Sequence, residues 1–161
     1  MAQTHVVGIS DCKVASNPAD VLTTYALGSC VGITLYDPVT RVGGLLHVML
    51  PDSRFRSPAR EFNPYMFADT GFYALLQEVQ QAGAKRQRLV AKMAGGANML
   101  GGTAIFDIGG RNAEALLGYC RLERIPVAAT SLGGTVGRSM ELMLSDGTVR
   151  VGLLGVGEEI L

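Results

Sequence analysis

The sequence predicts an α/β or α+β fold with a large share of strand, and three observations carry that prediction. Glycines, 21 in 161 residues and many of them paired, punctuate short apolar runs rich in Val, Ile, Leu and Met. Only two long stretches carry the period of an amphipathic helix. Several of the short runs lie close enough to be adjacent antiparallel pairs, and Asp146-Gly147 is a strong hairpin signal because both residue types tolerate positive φ.

In chain order, strands are expected at His5 to Ser10, Lys13 to Ala15, Leu22 to Ala26, Cys30 to Tyr36, Gly44 to Leu50, Arg88 to Met93, Val127 to Thr130, Ser139 to Ser145 and Thr148 to Leu154. The first helix is expected from Asp69 to Ala82, since Phe72, Leu75, Leu76 and Val79 fall on one face; Asp69 can cap it and Gly83 can end it. The second should begin near Asn112, turn Ala113, Leu116, Leu117 and Cys120 inward, and stop before Pro126. Pro51 to Phe67, rich in proline, arginine and aromatics, has no period and reads as a long surface loop of the kind that binds or covers a site. With no repeat and no linker, residues 1–161 read as a single domain.

Lys+Arg and Asp+Glu both number 14, so nothing favours long-range attraction to nucleic acid or anionic lipid. Cys12, Cys30 and Cys120 are too scattered for a disulfide framework or a zinc knuckle, and with only His5 and His47 besides, no metal or other cofactor is expected. The N-terminal residues have no basic-then-apolar leader, and no run approaches the roughly 20 apolar residues of a membrane span, so a cytoplasmic chain without membrane insertion is expected. Gly95-Gly96-Ala97-Asn98-Met99-Leu100-Gly101-Gly102 lacks the Gly-Lys-Ser/Thr ending of a phosphate loop. Gly152 to Gly157 has no helix behind it to receive a pyrophosphate. Turns and strand ends explain both.

The segment that carries chemistry runs from Thr24 through Gly28-Ser29-Cys30, along an apolar run, around Asp37-Pro38-Val39-Thr40 and back to His47. If Asp37 and Thr40 close a two-residue turn, partner numbers sum to 77 and Cys30 lies opposite His47, on one sheet face. A one-residue bulge near Gly43-Gly44 would send one of the two to the other face. An imidazole there can take the thiol proton, leaving a thiolate–imidazolium pair. Thr24 offers a hydroxyl to hold one ring nitrogen, and the backbone around Gly28 and Ser29, with the Cys30 N–H, could support an oxyanion. Each residue also has a plain reading: buried cysteine, satisfied core histidine, ordinary strand threonine. Arg111-Asn112 and Arg138-Ser139 are as well explained by a helix cap and a sheet-end arginine.

Leu27-Gly28-Ser29-Cys30, Asp37-Pro38 and His47-Val48-Met49-Leu50-Pro51-Asp52 resemble the signature of CheD, the chemoreceptor glutamine deamidases. Ala68-Asp69-Thr70, Ala91 to Ala97, Ile108-Gly109, Arg111-Asn112 and Gly137-Arg138-Ser139 resemble that family in order and spacing as well. The resemblance implies an α/β sandwich, with largely antiparallel or mixed sheets flanked by two main helices. It implies Cys30 as nucleophile, His47 as base and then acid, and Thr24 orienting His47, acting on glutamines of chemoreceptor cytoplasmic domains. It also implies a CheC-type phosphatase as a partner. Another thiol hydrolase, such as a receptor methylesterase or peptidase, and a binding module for that phosphatase are the alternatives.

Overall fold

Residues 1–101 and 107–161 are described by a computed structural model; Gly102, the last of the glycine run weighed above, lies outside them. The strands are β1 (Thr4–Val7), β2 (Asp11–Ala15), β3 (Val21–Leu27), β4 (Val31–Tyr36), β5 (Gly43–Val48), β6 (Val90–Gly95), β7 (Val127–Leu132), β8 (Arg138–Met143), β9 (Val149–Leu153) and β10 (Gly157–Ile160). The helices are α1 (Ala68–Gln81) and α2 (Ile108–Leu122). One sheet has the order β1-β3-β8-β9-β10 and the other β2-β5-β4-β6-β7; β1 with β3 and β6 with β7 are parallel and the remaining pairs antiparallel. This is the mixed α+β sandwich expected.

Period-two alternation sorts the side chains into two layers. Leu45 joins Leu22, Leu27, Met140, Leu142 and Val151 between the sheets. Leu46 and Val48, on the opposite face of β5, join Val31, Ile33, Phe72, Leu75, Met93 and Leu116 beneath the two helices. Every residue of β4 and β5 is therefore buried, which is why both read as continuous apolar runs rather than alternating ones. Each fully buried Leu, Ile or Phe here contributes about 1.5–3 kcal/mol.

Both central hairpins turn through longer loops than expected. In β4–β5, Tyr36 pairs with Gly43 and Val31 with Val48, so partner numbers sum to 79 and Gly32, not Cys30, lies opposite His47. The Arg41 N–H donates to the Asp37 carbonyl and the Asp37 N–H to that of Val42, and Arg41 takes φ 61°. A two-residue hairpin turn needs positive φ at its first central position, which the Pro38 ring forbids. A four-residue loop puts the left-handed residue last instead. The β8–β9 loop repeats this arrangement: the Gly147 N–H donates to the Met143 carbonyl and the Met143 N–H to that of Thr148, with φ 80° at Gly147. A Cβ at Gly147 would meet the Tyr36 ring at 2.5 Å. Asp146 does not adopt positive φ; its carboxylate accepts the Thr148 N–H instead.

The helix ends also differ from expectation. Phe67 occupies the N-cap of α1 without a side-chain bond, because the Asp69 carboxylate accepts the Ser53 N–H and hydroxyl at 3.0 and 2.7 Å. Gly83, at φ 115°, follows its end as expected. Helix α2 starts at Ile108, four residues before Asn112, where Asp107 accepts the Gly110 N–H. Of its expected inward residues Ala113, Leu116 and Cys120 are buried and Leu117 partly so. The stretch from Pro51 to Phe67 is less irregular than expected: it holds two single 3-10 turns, Ser53–Phe55 and Pro64–Met66, and ends on buried Phe67, stacked on Phe62. Strand β10 was not anticipated. Its residues are all exposed, so no apolar pattern marks it.

Candidate active site

The catalytic candidates meet where the two sheets face each other. In β3, Thr24 points inward with Leu22, two residues before it, and a bulge between Thr24 and Leu27 in the pairing with β8, where Ala26 takes φ 60°, turns Leu27 inward in place of Ala26. Such bulges re-aim side chains near functional sites. In β5, His47 shares the inward face with Leu45. Both Thr24 and His47 have no exposed surface.

The hydrogen bonds of Thr24 determine the state of His47. Thr24 Oγ1 is 2.7 Å from the Val7 carbonyl oxygen, an acceptor only, so the hydroxyl donates its one hydrogen there. It is 2.8 Å from His47 Nδ1 and must accept in that contact. The neutral imidazole therefore carries its hydrogen on Nδ1 and its lone pair on Nε2. Nε2 is buried and has no hydrogen-bond partner among the described residues.

Cys30 precedes β4 by one residue and is partly buried against the layer between the sheets. The longer turn moves it from directly opposite His47 to two residues before the opposite residue, Gly32. A shift of two preserves the face. Diagonal neighbours of this kind remain within reach of an aromatic side chain such as the imidazole; Met140 and Leu27 fill the space over Gly32, 2.9 and 3.3 Å from where a Cβ would stand.

The loop that presents Cys30 is tied down at three successive carbonyls. Those of Gly28 and Cys30 accept the Ala97 and Gly96 N–H groups, each at 2.8 Å. That of Ser29 accepts from Asn112 Nδ2 at 3.0 Å. Gly95, at φ 111°, sits so close that a Cβ would lie 2.3 Å from the Cys30 carbonyl oxygen. The Gly28 N–H donates to the Ala26 carbonyl at 3.1 Å and is spent within the loop. Asn112 is thus not a cap, and Arg138 is a half-buried brace, bonded to the Gly95 and Gly133 carbonyls and Ser131 Oγ.

Electrostatics favour neutral forms at rest. Burial pulls the His47 imidazole down to about 4, only partly opposed by Asp11, and burial pushes the Cys30 thiol up against the pull of its own backbone N–H. Burial of both groups therefore disfavours the thiolate–imidazolium pair expected from the sequence. Asp11 was not anticipated as a neighbour: it is paired directly with His47 across β2–β5. Its distance of 36 positions along the chain hid it. Cys12 is buried and its thiol pushed up, and Cys120 is buried and pushed up to about 11, so neither joins the site. Among the described residues no cluster of His, Cys, Asp and Glu could hold a metal.

Beside Ser29 opens a cavity of ≈ 400 Å³ lined by Ser29, Ala97, Asn98, Met99, Leu100, Asp107, Ile108 and Gly109. The larger groove of ≈ 570 Å³ lies on the outer side of the first sheet, along Tyr25, Arg138 and Leu154, away from the inward-facing Thr24 and His47. Among the described residues no helix is long and apolar enough to cross a membrane.

The family described as CheD chemotactic sensory transduction matches residues 49–152. A probable chemoreceptor glutamine deamidase CheD of Solibacter usitatus is 47% identical over 142 residues, 88% of this chain and 84% of that protein. Those of Symbiobacterium thermophilum and Caldanaerobacter subterraneus subsp. tengcongensis are 46% and 43% identical, over 96% and 94% of this chain and 95% and 93% of theirs. The family match begins just after His47, whereas a span of 96% of the chain leaves too little outside to omit Thr24, Cys30 or His47. By the match over most of its length to these relatives and to the family, the chain belongs to the CheD family.

Proposed function

We propose that the chain is a protein-glutamine deamidase, in which Cys30 is the nucleophile, His47 the base and then acid, and Thr24 the residue that holds His47 in its working tautomer. The observation that carries this is the Thr24 hydroxyl, which accepts from His47 Nδ1 because its own hydrogen goes to Val7. That leaves a buried Nε2, unpartnered among the described residues, on the face that Cys30 shares. Substrate, on this reading, is the cytoplasmic part of a chemoreceptor; the relatives' names give chemoreceptor glutamine deamidase for them.

In the first half-reaction the thiol proton passes to Nε2 as Sγ attacks the amide carbon. The tetrahedral oxyanion falls to the Ser29 and Cys30 N–H groups, since that of Gly28 is committed. The imidazolium then gives its proton to the departing nitrogen, releasing ammonia and leaving a thioester. Water, deprotonated by Nε2, attacks that thioester; the collapse returns the proton to Sγ and frees glutamate. Because both groups rest neutral, charge appears only during each step, and Asp11 favours the transient imidazolium.

Exposed Met49, Met99 and Leu100 beside the Cys30 loop suit a folded protein substrate better than a small polar one. A cytoplasmic location, one catalytic domain over residues 1–161 and a CheC-type phosphatase as second partner belong to the same reading. Incubation of purified receptor cytoplasmic fragments with the protein tests it by mass spectrometry and ammonia release. Conversion of glutamine to glutamate by the wild type and not by Cys30→Ala is expected. Cleavage of the fragment would mean a peptidase, and loss of methyl esters a methylesterase.

A further inference from the structure

We infer that Asn112 is a positioning residue for the Cys30–His47 pair, acting as the last rung between the nucleophile's loop and the base's strand; this rests on the deamidase reading above. The β4–β5 ladder ends at the pair Val31 and Val48. Beyond it the chain leads through Cys30 to Ser29 on one side and to Met49 on the other. Asn112 Nδ2 bridges that gap, donating to the Ser29 carbonyl at 3.0 Å and to the Met49 carbonyl at 2.9 Å. Both amide hydrogens are used, one on the residue before Cys30 and one on the residue two after His47.

The orientation of the amide is dictated by its partners. Turned over, it would set Oδ1 against two carbonyl oxygens, so Nδ2 faces them. Oδ1 is left buried with no partner among the described residues, and Asn112 has no exposed surface. A leucine would fill similar volume without burying an unpaired oxygen. A buried amide that leaves its own oxygen unpaired while bridging the point where two reacting segments separate is suited to aligning them. The bonds from Gly96 and Ala97 hold the Cys30 loop to the end of β6, but neither reaches the strand of His47. Asn112 does.

The test compares Asn112→Leu and Asn112→Ala with Leu116→Ala, which opens a cavity in the same helix beneath a fully buried side chain and leaves the bridge intact. Deamidation of a receptor fragment is measured at a temperature where all are folded, together with amide hydrogen exchange of peptides spanning residues 28–31 and 47–50. Both Asn112 variants should lose about 10- to 100-fold in kcat, the order expected for a misalignment near 1 Å, with KM within about twofold. Exchange should quicken in both peptides, whereas Leu116→Ala keeps wild-type kcat and exchange there. Wild-type kcat in Asn112→Leu, an equal loss in Leu116→Ala, or failure of both Asn112 variants to fold would overturn the positioning role. A wild type that converts no glutamine would sink the deamidase reading instead, and unchanged exchange would then show separately that the bridge holds nothing.

Discussion

Replacing Thr24 by valine tests the core of the site with almost no change of shape. The substitution removes one hydroxyl and with it two buried hydrogen bonds, the one donated to the Val7 carbonyl and the one accepted from His47 Nδ1–H. Each such loss costs about 1–3 kcal/mol, so Thr24→Val should lower unfolding free energy by about 2–5 kcal/mol. Nothing then holds the hydrogen on Nδ1, and the fraction of His47 with it on Nε2 cannot accept the Cys30 proton. Loss of positioned acid–base catalysis is worth roughly 10²–10⁴-fold, and kcat for receptor deamidation should fall by at least about 10²-fold with KM little changed. Thr24→Ser keeps the hydroxyl and gives up one methyl, about 0.8 kcal/mol of burial, and should retain most of the activity. Nitrogen-15 NMR of the imidazole gives the independent reading: Nδ1–H in the wild type and in Thr24→Ser, a mixture in Thr24→Val. Full activity in folded Thr24→Val, or an Nε2–H tautomer in the wild type, would refute the assignment of roles.

The pH dependence of stability follows from His47. Its folded pKa, about 4, lies below the unfolded value near 6.5, so the unfolded chain binds the proton first. Its contribution is present above about pH 6.5 and is lost as pH falls through about 4, amounting to about 3 kcal/mol. Denaturant titrations from pH 7.5 to 4 should show that loss in the wild type and a flatter profile in His47→Gln; parallel profiles would count against a buried neutral imidazole. Iodoacetamide should label half-buried Cys30 before Cys12 and Cys120, yet more slowly than a free cysteine at neutral pH, since burial raises its thiol; mass mapping of early time points decides, and equal labelling of all three sinks the ranking. Gly95→Ala drives a Cβ into the Cys30 carbonyl at a φ of 111° and should cost about 2–3 kcal/mol while lowering kcat. Thermal melts with wild-type midpoints would show that the close approach is not required.

What the sequence made legible was parity, and what it hid was length. The inward set of β5 alternates whatever the turn, and Cys30 and His47 stay on one face whether partners sum to 77 or 79. The number of loop residues was misjudged in both hairpins by two. For the first, the correcting signal was already present: Pro38 cannot take the positive φ that a two-residue turn demands. For the second, Gly147 served as the last residue of a longer loop as readily as the second of a short one. Local readings of this kind failed most often where a polar side chain had a distant partner. Asp69 was taken from the helix end by Ser53, and Asn112 from a supposed cap by Ser29 and Met49.

Those distant partners are also what make the site more than a cysteine beside a histidine. Thr24, from the other sheet, decides which nitrogen of His47 is basic, and this follows from a donor count and not from proximity alone. Gly96 and Ala97, just past the end of β6, and Asn112 on α2 occupy every carbonyl of the Gly28-Ser29-Cys30 loop. With its carbonyls committed, that loop cannot rotate to turn an oxygen toward the substrate without breaking buried bonds, so an arriving amide meets N–H groups and sulfur. Burial of both groups disfavours their charged forms, raising the Cys30 thiol and lowering the His47 imidazole. Increasing the polarity around His47 should therefore not simply activate the protein: it would ease formation of the imidazolium and at the same time weaken that imidazolium as the acid that must protonate the departing nitrogen.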